Sequence, residues 1–279
     1  MTSTWFITGT SSGFGRELTE RLLERGDRVA ATLRRPERLN DLATQYGDRL
    51  WVRELDVTNT EQMREVVDAA FAELGRIDVV VSNAGFGIFG TAEEHSDEQI
   101  DGIVATNLVG SIQLVRAVTP HLREQGGGRI LQMSSMGGII TFPGFSLYHA
   151  TKFGIEGFFD AYAPEVAPFG IRTTLIEPGM IRTSFYEAAQ HAPQNPAYDG
   201  NPALHREGIP LEQMAGDQAK VVAAMIDVAY MDDPPQRLLL GSDAYTWVRA
   251  ALSERLAAVE AQKDAAYSTD IDGFSHVES

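Results

Sequence analysis

The chain begins with an apolar run that breaks on glycines and resumes as a helix. "STWFIT" (Ser3 to Thr8) gives way to "GTSSGFG". "RELTERLLERG" then places Leu18, Leu22 and Leu23 at helical spacing, and Gly26 stops it. Gly9, Gly13 and Gly15 allow a tight turn in which backbone can approach a pyrophosphate. The helix behind them offers unpaired amides to that charge.

The same alternation continues. "RVAATL" reads as a second strand, "RLWVRELDV" holds a third, and "TEQMREVVDAAFAELG" is a helix ending at Gly75. "IDVVVSNAG" is a fourth strand. A long helical segment, "DEQIDGIVATNLVGSIQLVRAVTPHLREQG", follows, and Pro120 is expected to bend or restart it. "GRILQMSS", a helix from Tyr148 to about Phe169, "GIRTTLIEPG" and "RLLLG" near Leu238 bring the strands to seven. This spacing predicts an α/β fold: a doubly wound, mostly parallel seven-stranded sheet flanked by helices, in a single domain over residues 1–279. Residues 180–217 carry four prolines and few regular signals. So long a loop is uncommon unless functional or mobile, and it reads as a substrate lid. Residues 244–279 read as a helical tail, apolar at Trp247, Ala251, Leu252, Leu256 and Val259, with its last dozen residues frayed.

Composition then excludes whole classes of function. A net charge of −16 disfavours nucleic acids and anionic membrane surfaces as partners. The absence of cysteine removes disulfides, thiolate metal sites and cysteine nucleophiles. His95, His121, His191, His205 and His276 show no metal-ligand spacing, so no metal is expected. No apolar stretch reads as long enough for a membrane span. A chain running directly into a strand is expected to lack a signal peptide, and a cytoplasmic protein follows as the expectation.

"SLYHATKFG" places Tyr148 and Lys152 at i and i+4, on one face of a helix. A free phenol ionises near pH 10, about three units from neutrality. A neighbouring ammonium is expected to lower that value, so that Tyr148 can give a proton to a carbonyl oxygen or take one from an alcohol. His149 should point about 100° away and serve packing or surface. Asp232 and Asp233, beside two prolines, read as a turn. Pro164 lies too far beyond Lys152 to disturb the pair.

Together these motifs resemble the short-chain dehydrogenase/reductase family in its one-domain, Rossmann-type form, from Thr4 to about Gly241. Its Thr-Gly-x-x-x-Gly-x-Gly motif is matched by Thr8, Gly9, Gly13 and Gly15, with Ser11, Ser12 and Phe14 in the same loop. Its adenine-contacting acid is matched by Asp56, followed by Val57. Its Asn-Asn-Ala-Gly motif reads Ser82, Asn83, Ala84, Gly85, where Ser82 is the departure. Pro178 and Gly179 match its Pro-Gly, and Thr183, with Ile181 before it, the threonine near the nicotinamide amide. The resemblance implies four catalytic residues. Ser135, with Ser134 as runner-up, holds the substrate oxygen and Tyr148 transfers the proton. Lys152 supports Tyr148 and bonds the nicotinamide ribose, while Asn107 holds water against Lys152.

Hydride transfer between a nicotinamide cofactor and a carbonyl or secondary alcohol is the implied reaction. A non-catalytic nucleotide-binding regulator and a cofactor-dependent isomerase or dehydratase remain alternatives on the same fold. Met136, Ile139, Ile140, Phe142, Phe145, Phe185 and Tyr186 flank the catalytic positions and suggest an apolar substrate. Leu33 stands where NAD-specific relatives carry an acid, and Arg34 follows it. A guanidinium there can pair with a 2'-phosphate, helped by Arg35 or Arg16. NADP(H) is therefore preferred, with NAD(H) possible. The family's usual contacts through the helices of Asn107 and Tyr148 imply a homodimer or homotetramer.

Overall fold

A computed structural model describes residues 2–204, 210 and 214–271. In chain order the elements are β1 (Thr4–Thr8), α1 (Gly13–Glu24), β2 (Arg28–Leu33), α2 (Asn40–Tyr46), β3 (Leu50–Glu54), α3 (Thr60–Leu74), β4 (Val79–Ser82), β5 (Ile88–Phe89), α4 (Asp97–Val104), α5 (Gly110–Glu124), β6 (Gly128–Met133), α6 (Ser146–Val166), β7 (Ile171–Pro178), α7 (Phe185–Ala188), β8 (Gln190–His191), α8 (Gln218–Ala229), β9 (Arg237–Leu240), α9 (Ser242–Glu260) and α10 (Lys263–Tyr267). Seven strands pair in parallel in the order β3-β2-β1-β4-β6-β7-β9. The expected doubly wound sheet is thus present. The chain winds outward from β1 in one direction and from β4 in the other, so a crevice opens at their carboxyl ends.

Period-two alternation explains why both faces are apolar. Trp5 and Ile7 of β1 point into one core layer, with Leu18 and Leu22 of α1 and Val222 and Met225 of α8. Phe6, between them, points into the other, with Leu114 and Val118 of α5 and Ile155 and Phe159 of α6. Parallel strands covered on both faces need such uninterrupted apolar runs.

Three expectations change. Pro120 does not break its helix: α5 continues through it to Glu124. The irregularity lies earlier, where Ala105–Val109 forms a π-helical turn between α4 and α5. The combined helical run, Asp97–Glu124, is long and apolar enough to cross a membrane, contrary to the sequence reading. Its apolar side chains Ile103, Leu114, Val115, Val118 and Leu122 are instead buried in the core, where α4 and α5 pack against α3 and α6. Finally, part of the stretch read as an irregular lid is regular: β8 pairs in parallel with β5. Residues 205–209 and 211–213 of that stretch, and the frayed end expected at 272–279, lie outside the described residues. The tail helix α9 docks on Met136 and Ile140 through Ala244 and Val248, while Leu252, Leu256 and Val259 are exposed.

Phe159 has no solvent exposure and sits centrally in the α5–α6 layer. Phe159→Ala is expected to lower the unfolding free energy by about 3–5 kcal/mol, read from the urea midpoint at unchanged slope.

Candidate active site

The glycine loop is fastened to the loop after β4 by a four-bond stitch. Thr8 Oγ1 accepts the backbone N–H groups of Asn83 (3.0 Å) and Ala84 (3.1 Å). Asn83 Nδ2 donates to the carbonyls of Thr8 (2.9 Å) and Gly9 (3.1 Å). Here two glycines are required by contact. A Cβ on Gly9, at φ +72°, would lie 2.8 Å from Ala84 Cα, and one on Gly15 would lie 2.4 Å from the Gly9 carbonyl oxygen. Gly13 differs: at φ +55° its missing Cβ faces open space. Ser12, the residue before α1, makes no side-chain cap, and the first turn of α1 has no acid. Free amides around an open cradle fit the pyrophosphate of a dinucleotide.

One cavity of about 1040 Å³ extends from this loop past the ends of β4, β6 and β7 to the segment after β7. Of the sequence-expected residues, Gly9, Ser11, Ser12, Gly13, Phe14, Arg34, Asp56, Val57, Asn83, Ala84, Gly85, Ser135, Tyr148, Lys152, Pro178, Gly179, Ile181 and Thr183 line it. Gly15 and Asn107 do not, because both are packed beneath its floor. Asn107 clasps the backbone of Phe86 at both ends of its amide, accepting from Phe86 N–H (3.0 Å) and donating to Phe86 O (2.8 Å). Its side chain is thus spent on the β4–β5 loop, with a longer contact to Thr151 Oγ1 at 3.4 Å. Among the described residues the Asn107 side chain makes no direct hydrogen bond to Lys152.

Tyr148 and Lys152 are both buried on α6. The phenol has the Ser135 hydroxyl as its polar neighbour, and Ser135 Oγ accepts Gly137 N–H at 3.0 Å. Burial drives the phenol's pKa upward; the neighbouring Ser135 hydroxyl opposes this and is outweighed. This reverses the sequence expectation. Lys152 lies beside the ring, 5.5 Å from its centroid, and donates to Met133 O at 2.9 Å. Burial lowers the Lys152 ammonium to about 8, with the Glu156 carboxylate pulling it back up. Phe145 stacks on Tyr148 at 4.4 Å, Phe89 on Phe145 at 4.4 Å, and His191 of β8 on Phe89 at 5.3 Å. A column of rings thereby joins the segment after β7 to the phenol.

At the cofactor end, Leu33 is buried, while Arg34 is exposed at the cavity rim with no hydrogen bond or ion pair to a described residue. Arg16 is not available as a helper. It is committed to Glu20, Asp41 and the Arg38 carbonyl. Arg35 is exposed and lies outside the cavity lining. Asp56 accepts from Thr58 N–H at 2.9 Å and Thr58 Oγ1 at 2.8 Å.

The sequence reading missed several supports. Asp243, in the first turn of α9, accepts Met180 N–H at 2.7 Å and holds the backbone after Pro178 and Gly179. Nothing local announces it. Ser134 is turned away from the cavity centre and donates to Glu156, one of a buried acid pair with Glu177 around Arg237. Glu156 was legible in principle, one helical turn after Lys152. His149 is neither surface nor simple packing: its Nδ1 donates to Gly137 O (2.8 Å) and its Nε2 accepts Phe142 N–H (2.8 Å). That pair of bonds fixes one neutral tautomer and holds the loop from Gly137 to Phe142 over the cavity.

Among known proteins, a family model described as short chain dehydrogenase matches residues 3–194. Oxidoreductase BOA17 of Botryotinia fuckeliana is 37% identical over 257 residues, covering 90% of this chain and 93% of that protein. A 3-ketodihydrosphingosine reductase of Bacteroides thetaiotaomicron is 33% identical over 84% of this chain and 86% of its own length. A short-chain dehydrogenase from Streptomyces avermitilis superposes with a TM-score of 0.90 at 37% identity, covering 96% of this chain and 98% of that one. A closed form of serine dehydrogenase complexed with NADP+ superposes at 0.74 with 28% identity, over 85% and 94% of the two chains.

Burial lowers the His149 pKa from 6.5, opposed by the Gly137 carbonyl. Below pH 6.5 the unfolded chain therefore binds a proton that the folded ring refuses, and stability falls until the folded ring also titrates. Glu156 and Glu177 are shifted upward and act in the opposite sense, but they are common to wild type and variant. In urea titrations at pH 7.5 and 5.5, His149→Gln is expected to lose less stability on acidification than wild type. An equal loss would show that His149 is not neutral in the fold.

Proposed function

This chain belongs to the short chain dehydrogenases, and from that membership and the cavity we propose that it moves a hydride between NADP(H) and the carbonyl or secondary-alcohol carbon of an apolar small molecule. The observation that carries the reading is that Ser135, Tyr148 and a buried Lys152 line the same cavity that begins at the glycine loop.

When bound, the nicotinamide supplies or accepts the hydride. The chain's residues do the rest. The amides before and within the first turn of α1 bind the pyrophosphate, with Gly13 leaving room for it. Asp56 and Val57 flank the adenine side, and Asn83, Ala84 and Gly85 form the wall opposite the glycine loop. Pro178, Gly179, Ile181 and Thr183 close over the nicotinamide side. Ser135 donates to the substrate oxygen and fixes it against Tyr148. Tyr148, held protonated by burial, gives its proton to that oxygen during reduction. Lys152 places a cation next to the phenol as charge develops on it and has ammonium donors left for the ribose. Asn107 shapes the floor through Phe86.

Leu33 with Arg34 supports the phosphorylated cofactor, and the NADP+ complex of the 28% identical serine dehydrogenase agrees with it. Phe89, Phe142, Phe145 and Phe185 line the substrate end and support an apolar substrate. The segment from Met180 to Gly216 acts as the lid, and one continuous sheet supports reading the chain as a single domain. A homodimer or homotetramer through α4, α5 and α6 completes the proposal. A light-scattering mass equal to one chain at micromolar concentration would overturn that last part.

Tyr148→Phe is expected to reduce turnover by about a hundred- to ten-thousand-fold while NADPH binding, read by fluorescence, stays within about twofold. Retained turnover would refute the assignment of the proton donor. Arg34→Ala removes a charge-assisted contact worth about 1–3 kcal/mol. It is therefore expected to lower kcat/KM by about tenfold or more with NADPH and little with NADH. Equal losses with the two cofactors would show that Arg34 does not read the phosphate.

A further inference from the structure

Behind the cavity lies a set of buried charges that the reaction as described does not use. Glu156 follows Lys152 by one turn of α6, and Glu177 is the last residue of β7 before Pro178. Glu177 is fully enclosed and Glu156 nearly so. Arg237 of β9 serves both: its Nε lies 3.0 Å from Glu156 Oε2 and 3.3 Å from Glu177 Oε1, while its Nη2 takes Asp160 at 2.6 Å. Glu156 also accepts from the Ser134 hydroxyl, but neither oxygen of Glu177 has a well-formed hydrogen bond. The 3.3 Å approach of Arg237 to Glu177 fails on geometry.

Charge decides the protonation. Arg237 faces Glu156, Glu177 and the half-exposed Asp160, and Lys152 is a second cation beside Glu156. Ionising all three acids would leave uncompensated negative charge in a dry interior, which is costly. Glu177 has the least solvent and the weakest partner, so it carries the proton; burial and the neighbouring Glu156 push it up to about 8. Glu156, with a hydroxyl donor and a guanidinium, keeps its charge. Among the described residues Lys152 has one hydrogen bond, to an uncharged carbonyl, and Glu156 is the anion that supports its charge. Tyr148, on the other side of Lys152, is a neutral phenol.

We propose that Glu156 is a positioning residue: held by Ser134 and Arg237, with neutral Glu177 behind it, its carboxylate keeps the Lys152 ammonium charged inside a dry site. The role rests on the hydride-transfer reading above, but its test does not need turnover.

Lys152, Lys220 and Lys263 are the only lysines in the chain. ¹³C-labelled lysine therefore gives three side-chain signals, and Lys152→Arg identifies the buried one. In wild type without cofactor, Lys152 is expected to titrate at about 8. Glu156→Gln is expected to move that midpoint down by about one pH unit or more, and Glu177→Gln to leave it within about 0.3 unit. If Glu156→Gln does not fold, Glu156→Gln combined with Arg237→Met replaces the buried pair by neutral groups and carries the same expected shift. A merely structural role would change the melting temperature without moving the Lys152 midpoint. A midpoint unmoved in the Glu156 variants, or moved as far by Glu177→Gln, overturns the proposal. A midpoint that shifts as expected in Glu156→Gln, with a wild type that turns over no carbonyl with either cofactor, would refute the hydride-transfer reading and leave the lysine assignment standing.

Discussion

The stitch between Thr8 and Asn83 sets the geometry on which the cavity depends. β1 and β4 are neighbours in the sheet, yet their following segments depart in opposite directions, and something must hold the two departures in register. The Thr8 hydroxyl and the Asn83 amide do this with four bonds, and Gly9 and Gly15 permit the backbone approach those bonds require. Loosening it would separate the pyrophosphate cradle from the wall opposite and displace the Phe86 backbone that Asn107 grips a few residues on.

In the cavity and directly behind it, desolvation dominates the electrostatics. It pushes the Tyr148 phenol and the Glu177 carboxyl upward and the Lys152 ammonium and His149 ring downward. All four shifts favour the neutral form, as burial must. What distinguishes the groups is the partner opposing it. Tyr148 has a neutral hydroxyl and stays a phenol. Lys152 has Glu156 and keeps a pKa near enough to neutrality to remain charged. Both groups therefore stay protonated near neutrality, the phenol because burial moves it further above its usual range and the ammonium because Glu156 limits how far burial lowers it.

Those parts of the molecule written in consecutive residues were legible in the sequence. The seven sheet strands, the glycine loop and the Tyr148–Lys152 pair are each local patterns, and they fall where the spacing puts them. Parts that depend on strand register were not. Glu177 and Arg237 meet because β7 and β9 pair with Leu175 opposite Arg237, a relation that no local pattern encodes. β5 and β8 are two residues each, too short for any periodicity to show. Asn107 was found by its motif, but its two-sided grip on Phe86 depends on a π-helical turn that propensity does not announce. The phenol's direction of shift was misjudged for a similar reason. Adjacency of Lys152 can be read from spacing, whereas burial of both side chains cannot.

Asp243 gives this architecture an order in time. On the ribosome the glycine loop emerges first, and the motif residues up to Thr183 all follow before the hydrogen bond to Met180 can form. A nascent chain exposed only as far as α7 already contains the motif residues expected to touch cofactor and the reacting atoms, but the backbone beyond Gly179 still lacks its anchor. The Glu156–Glu177 pair likewise waits for Arg237. Assembly of the cavity is therefore gated by the last strand and the first turn of α9, and a growing chain carries two unneutralised acids until they arrive.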